Sequence, residues 1–563
     1  MPRHRSVDRR AFVRTTGAAA LTLAVRPRVG AARQDDETLF RGGTVYDGTG
    51  AAPTEADVLV AGDRVREIGR NLTRAAAVEV DCRGLAVAPG FVDVHSHTDL
   101  DLFVDPRAES KVRQGVTTEV PGQDGDSIGP WRPERAAAVR ERYRTEYGVD
   151  LAFHDLGGFF TQLERHGTAV NLASMVGQGT VREYVIGEDD RPATDEEIAR
   201  MQQLVADALA QGACGLSSGL EYVPGAFADL TELAAVASPL AGTGLPYATH
   251  MRNEDDQLFG AIEEALGVGR LAGAPVQISH LKAQGERNWW KAETVLHMLE
   301  AARADGIDVA YDRYPYVAYS TGLTALFPVW SRDGGTAGLL QRLDDPAAAP
   351  RIEREVRAKI AKLGSWDAVQ VTSTGNPAYA WAEGRRFGSL AAERDVEPYA
   401  MLLELIRGDR GRSGMIGFGM SEANTERFLA HPLGMVCSDG SALATDGPLS
   451  GGTPHPRNFG TFPRVLGHYC RERRAFPLET AIHKMTGQPA ARLRLSGRGR
   501  LARGTFADVV VFDPATVADR ATFEHPHQYP VGIRDVMVNG RFVQRDGERT
   551  GERPGRALRP SEA

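Results

Sequence analysis

The sequence predicts an α/β fold: a TIM-like (βα)8 barrel with a small β-sandwich domain built from both chain ends and an insertion before the last barrel strand. Three observations lead there. Between Pro89 and about Arg494, apolar runs such as AVNLASMVG, ACGLSSGLEY, LPYATHMRNE, APVQISHLKA, IDVAYDRYPY and GMVCSDG alternate with helical stretches, as parallel strands joined by crossover helices do. Residues 38–88 and 495–547 share another texture, β-branched alternation punctuated by Gly, with VNG supplying a hairpin turn in the later segment. Two chain ends of one texture are expected to complete one β layer together. Finally, roughly 110 residues separate IDVAYDRYPY from GMVCSDG, more than one helix and its loops need, so a unit of about 322–432 is expected to be inserted over the barrel mouth. It contains the helical run RIEREVRAKIAKLG.

Composition narrows the function. With 563 residues, 42% hydrophobic and 25% charged, the chain is an ordinary globular one of more than one unit, neither disordered nor fibrous. Its net charge of −8 conceals an asymmetry, because the first 31 residues hold seven Arg and one Asp. Removing that +6 leaves about −14 for the body, which repels nucleic acid. Cys82, Cys214, Cys437 and Cys470 show no paired spacing, so neither a disulfide scaffold nor a zinc ribbon is expected.

The basic start reads as a twin-arginine export signal over residues 1–31. Arg9-Arg10 precedes Phe12, a short run of small and apolar residues, and then Gly30, Ala31 and Ala32. An exported protein, periplasmic or secreted, follows from it. The apolar run from Gly17 to Val25 is about half the length a bilayer core requires, which excludes stable membrane insertion.

Chemistry gathers at the strand ends. In PGFVDVHSHTD, His95 and His97 stand two apart, so a strand sets both imidazoles on one face, at the carboxyl end of the first barrel strand where barrel active sites are built. His250 closes LPYATH and His280 closes APVQISH in the same kind of place. Imidazoles converging on one barrel mouth suit zinc, at one tight site and a possible weaker second. Asp439, ending the last strand in MVCSDG, can bind metal or take a proton. Cys214 and Cys437 lack a neighbouring base and read as core residues, and His455 and His483 as structural. No Gly-rich stretch leads into a phosphate-loop Lys, so nucleotide binding is unsupported.

These strand ends resemble the amidohydrolase superfamily over about residues 38–547. More closely, PGFVDVHSHTD, GLSSGLEYVPG, YATHMRNE, QISHLKA, DRYPYVAYSTG, VCSDG and HPRNFGTFPRVLG resemble the D-aminoacylases, the N-acyl-D-amino-acid deacylases. The resemblance places His95, His97, His250, His280 and Asp439 on metal and catalytic positions. It makes Tyr222 an oxyanion donor, the alternative being a half-buried strand Tyr. Many D-aminoacylases carry a Cys ligand in the loop after the second strand, where TTEVPGQDGDSIGP puts Asp124. Asp124 is then a hard zinc ligand able to bridge two metals, or a turn residue. Lys282, Tyr314, Ser320 and Arg457 fall where the family holds the amino-acid carboxylate, with surface salt bridges the competing account for the basic pair. Arg252 is assigned to support of the metal shell.

The implied reaction is zinc-dependent hydrolysis of an N-acyl-D-amino acid to a carboxylate and a free D-amino acid. Hydantoinases and dihydroorotases place a carboxylated Lys on the fourth strand, and ACGLSSGLEY has none. Hydrolysis of a cyclic amide or a dipeptide is therefore the second reading. A non-catalytic exported binding protein is the third.

Overall fold

The computed structural model describes residues 37–73 and 78–561. The export segment expected over residues 1–31 lies outside them. Among the described residues, eight parallel strands form the central ring: Phe91–Asp93, Val116–Glu119, Asn171–Leu172 resumed at Val176–Gly177, Leu216–Gly219, Tyr247–His250, Val276–Ile278, Val309–Arg313 and Gly434–Val436. The ring closes between its last and first strands through a parallel bridge from Ser96 to Gly440, with Asp439 N donating to His95 O. These strands are short and buried on both faces, as parallel strands walled by helices must be.

The helices between strands form for local reasons. Asp195–Ala210 starts in a full capping box, in which the Thr194 hydroxyl accepts from Glu197 N and the Glu197 carboxylate accepts from Thr194 N. Its buried Met201, Leu204, Val205 and Ala208 recur at helical spacing and face the barrel.

Both chain ends build one β unit. The order across its continuous sheet runs Glu548–Arg549, Arg541–Arg545, Ile533–Val538, Val509–Phe512, Ala86–Pro89, Glu37–Val45, Thr54–Ala61, Arg64–Gly69, with Val78–Asp81 also on Glu37–Val45. The two ends meet where Val509–Phe512 pairs antiparallel with Ala86–Pro89, Val510 opposite Ala88. The sheet curls until Arg64 bridges Phe506, enclosing Phe40, Val58, Val60, Val509 and Val511.

The long segment before the last barrel strand is a unit with its own core. Ala318–Gly322, Gly414–Phe418 and Val369–Ser373 form an antiparallel sheet in that order. Helix Ala349–Leu363 packs Ile352, Val356 and Ile360 into a core with Leu323, Leu339 and Leu402. Its first strand leaves the seventh barrel strand almost directly, which carries Ser320 and Thr321 over the barrel mouth.

Candidate metal centre

A buried charged network registers the floor of the site. Lys111 Nζ lies 2.8 Å from Asp93 Oδ2, 2.8 Å from Ser438 Oγ, 2.9 Å from Gly440 O and 3.0 Å from Glu119 Oε1. Asp93 also accepts from Ser438 N at 2.8 Å. The first and last strands are thus tied on both sides of Asp439.

Three residues of the site hold left-handed backbone, Asp124 (φ 55°), His280 (φ 36°) and Asp439 (φ 51°). Such geometry costs an L-residue of order 1 kcal/mol and persists only where its surroundings dictate it. They do: His280 N donates to Asp312 Oδ1 at 2.7 Å, and Asp439 N to His95 O at 2.9 Å. The Asp124 loop lies so close to the fourth strand that a Cβ on Gly219 would stand 1.9 Å from Asp124 O. Only glycine fits there.

The side chains thus aimed converge on Asp124. Its carboxylate lies 3.5 Å from His95 Nε2, 3.5 Å from His97 Nε2, 3.5 Å from His280 Nε2 and 3.7 Å from His250 Nδ1. Asp439 Oδ1 lies 2.9 Å from His97 Nε2 and 3.4 Å from His95 Nε2. Two groups of ligand atoms, each within 4.8 Å of one another, share Asp124: His95, His97, Asp124 and Asp439, and Asp124, His250 and His280.

The donor set fits a divalent cation. Both ring nitrogens of His95, Asp124 Oδ1 and His250 Nε2 are buried without hydrogen-bond partners, at about 1–3 kcal/mol each unless something else satisfies them. Burial disfavours charge on His97, yet Asp124 and Asp439 raise it to about 9. Against the same burial, Glu254, Asp124 and Glu221 raise His250 to about 10. Carboxylates that favour one positive charge so strongly favour a dication more, and its binding expels those protons.

The remaining candidate residues surround this cluster. Arg457 donates to Asp439 Oδ2 at 2.6 Å, and both are buried. Burial would raise the Asp439 carboxyl, but Arg457, His280 and His95 hold it far below the usual carboxylate range. Lys282 Nζ is buried between Glu254 Oε1 at 2.5 Å and His280 Nδ1 at 2.7 Å. The Tyr314 hydroxyl is buried with no partner. Tyr222 packs its ring on His250 and meets Thr321 Oγ1 at 3.1 Å; burial pushes its phenol far up, so it stays a donor.

Two cavities meet at this point. An inner one of about 30 Å³, roofed by the inserted unit, is lined by His250, His280, Lys282, Tyr314, Glu221 and Lys359. An outer one of about 470 Å³ opens past Arg457, His97, Arg135 and Glu183. Asp124, Tyr222, Ser320 and Thr321 line both.

The amidohydrolase family pattern matches residues 78–363 and 422–544. The chain belongs to the amidohydrolase family. A D-aminoacylase of Alcaligenes xylosoxydans xylosoxydans is 40% identical over 531 residues, 93% of this chain and 98% of that one. A solved D-aminoacylase with a binuclear metal centre, described by one-metal activation and second-metal attenuation, superposes with a TM-score of 0.76 at 38% identity, over 93% of this chain and 99% of that one. N-acyl-D-glutamate deacylase from Bordetella bronchiseptica, solved with zinc and a phosphonate mimic of the tetrahedral intermediate, gives a TM-score of 0.78 at 34% identity, over 93% and 99%.

In this amidohydrolase every predicted site residue stands at or beside the cluster, whereas Arg252 does not. It is taken up by Glu264 at 2.9 Å and by the carbonyls of Ala226 and Ala228 at 2.6 Å, bracing the loop after Tyr222. His455 accepts from Arg457 N at 3.0 Å and meets Ala318 O at 2.9 Å, setting the turn that aims Arg457. Sequence reading missed Glu221, Glu254, Asp312 and Thr321. Asp312, an acid inside an apolar strand, and Glu254, four residues after His250, carried the available signal.

Proposed function

We propose that this amidohydrolase hydrolyses the linear amide of N-acyl-D-amino acids, giving a carboxylate and a free D-amino acid. The observation that carries the reading is the meeting of both ligand groups at Asp124, with Tyr222, Lys282 and Arg457 around the same cavity mouth. The D-aminoacylase and deacylase relatives support the D configuration. His95, His97, Asp124 and Asp439 would hold one zinc tightly, and His250 and His280 with Asp124 a weaker second. When bound, zinc supplies Lewis acidity at the amide carbonyl and a water that ionises near neutral pH.

The chain's own residues do the rest. Asp439 takes the proton of the attacking water at Oδ1 and delivers it to the amide nitrogen, which cannot leave as an anion. Tyr222 donates its phenol O–H to the developing oxyanion at the cavity junction. Lys282, Tyr314, Ser320 and Arg457 hold the amino-acid carboxylate and so fix the Cα, letting one enantiomer present its amide. N-acetyl-D-amino acids should be cleaved about 100-fold faster than their L enantiomers, measured as kcat/KM with zinc supplied. Equal rates for the two, or faster opening of a hydantoin, would overturn the reading.

Export through the twin-arginine route is part of the same proposal, supported by Arg9-Arg10 and the modest apolar run behind them. Among the described residues no helix is long and apolar enough to cross a membrane. Cell fractionation of an Arg9→Lys, Arg10→Lys variant should find the protein retained in the cytoplasm. Unchanged export of that variant rules the route out.

A further inference from the structure

The two imidazoles of the second ligand group are not equally free to take a metal. His250 Nδ1 and His280 Nε2 face Asp124 at 3.7 and 3.5 Å and each other at 3.0 Å, so these are the nitrogens a cation would meet. Their other nitrogens point away from the centre. His250 Nε2 lies 3.8 Å from Glu221 Oε2, too long for a hydrogen bond, whereas His280 Nδ1 lies 3.2 Å from Glu254 Oε1. The same His280 nitrogen has a second neighbour, Lys282 Nζ at 2.7 Å, and Lys282 Nζ is in turn 2.5 Å from that Glu254 oxygen. Glu254, His280 and Lys282 are all buried, so the three must satisfy one another.

This triangle cannot serve both neighbours of the ring at once. A neutral imidazole has one N–H, and its other nitrogen is a lone pair. An ammonium only donates, so donation from Lys282 to Nδ1 sets the ring proton on Nε2, facing Asp124, where it blocks a metal. A carboxylate only accepts, so Nδ1–H donating to Glu254 leaves the Nε2 lone pair facing Asp124, the form ligation requires. Lys282 is the nearer of the two neighbours and is therefore the contact a metal must displace. Because Glu254 Oε1 reaches both groups, Lys282 keeps a partner when the ring proton moves. We propose that Glu254 is the positioning residue that readies His280 for metal and that Lys282 competes with the metal for the same ring. Metal at His250 and His280 then releases a Lys282 N–H toward the inner cavity that Lys282 lines. On the deacylase reading that donor meets the substrate carboxylate, so second-site metal and substrate strengthen each other's binding.

Titration of the full-length protein with zinc against a chromophoric chelator, with no substrate present, reads the weaker site. Glu254→Gln keeps the size of the side chain and an acceptor for Lys282, and should weaken that site about tenfold to a hundredfold. Lys282→Met should instead tighten it about fivefold or more. A purely structural role for the pair would weaken the site in both variants. Nitrogen-15 spectra of the histidine rings separate movement of the ring proton from simple loss of charge. In zinc-stripped wild type the His280 proton should sit on Nε2, and in zinc-stripped Lys282→Met on Nδ1, the signal being identified by its loss in His280→Gln. Weaker zinc binding in Lys282→Met, a ring proton that stays in place, or wild-type zinc binding in Glu254→Gln each overturns the inference. None of these measurements needs turnover. A protein that gives the expected results yet leaves N-acetyl-D-amino acids intact keeps this inference and loses the deacylase reading.

Discussion

Asp439→Asn is expected to lower kcat about 10²–10⁴-fold, the scale of a lost general acid–base group. Asn keeps the size of Asp439 and can still accept from Arg457, so the buried guanidinium retains a partner. Replacement by Ala would instead strand that charge, at a cost of about 3–5 kcal/mol, and confuse catalysis with folding. What Asn loses is the ability to take a proton from water and pass it to the amide nitrogen. Thermal unfolding and elemental analysis should show a folded protein that still holds about one zinc. Survival of a tenth of wild-type kcat would assign the proton to another group.

The second large effect is expected at Asp124. It is common to both ligand groups, so Asp124→Ala separates His95, His97 and Asp439 from His250 and His280 and leaves each set short of a donor. Zinc affinity should fall by about tenfold to a hundredfold or more, the weaker site disappearing first, with hydrolysis falling in step. Metal titration monitored by competition with a chromophoric chelator measures this directly. An unchanged stoichiometry together with full activity would return Asp124 to the role of a turn residue. Asp124→Cys offers a further comparison, since a soft thiolate would shift preference between zinc and harder cations.

Much of this site was legible because barrel geometry converts sequence position into spatial position. His95, His97, His250, His280 and Asp439 each end an apolar strand, and strand ends of a closed parallel barrel meet at one mouth. Asp124 was legible as a position but not as a role, because a Gly-rich loop has no period and its aim depends on the close approach to Gly219. Partners were the hidden part. The sequence marks Lys282 and Arg457 as cations available to a substrate carboxylate, yet each is already engaged, with Glu254 and with Asp439. Glu221 and Lys359, 138 positions apart, line one cavity through the fold of an inserted unit whose contacts have no local signature. Arg252 stands two residues after a ligand, yet its fork is held by Glu264 on the next helix and not by the metal shell.

The β unit has a consequence in time. Strand Ala86–Pro89 finds its antiparallel partner only in Val509–Phe512, about 420 residues later. At the ribosome's pace of about 5–20 residues per second, that partner emerges roughly 20–85 s after the first. Through that interval Ala86–Pro89 presents an open, apolar edge, the kind that invites pairing with another chain. Glu37–Val45 pairs along its other side and Thr54–Ala61 extends the sheet, so a partial N-terminal sheet can form early while the edge toward Val509 waits. Closure of that edge waits on synthesis of Val509–Phe512, and truncation anywhere before Val509 leaves an aggregation-prone nascent product rather than a smaller working barrel.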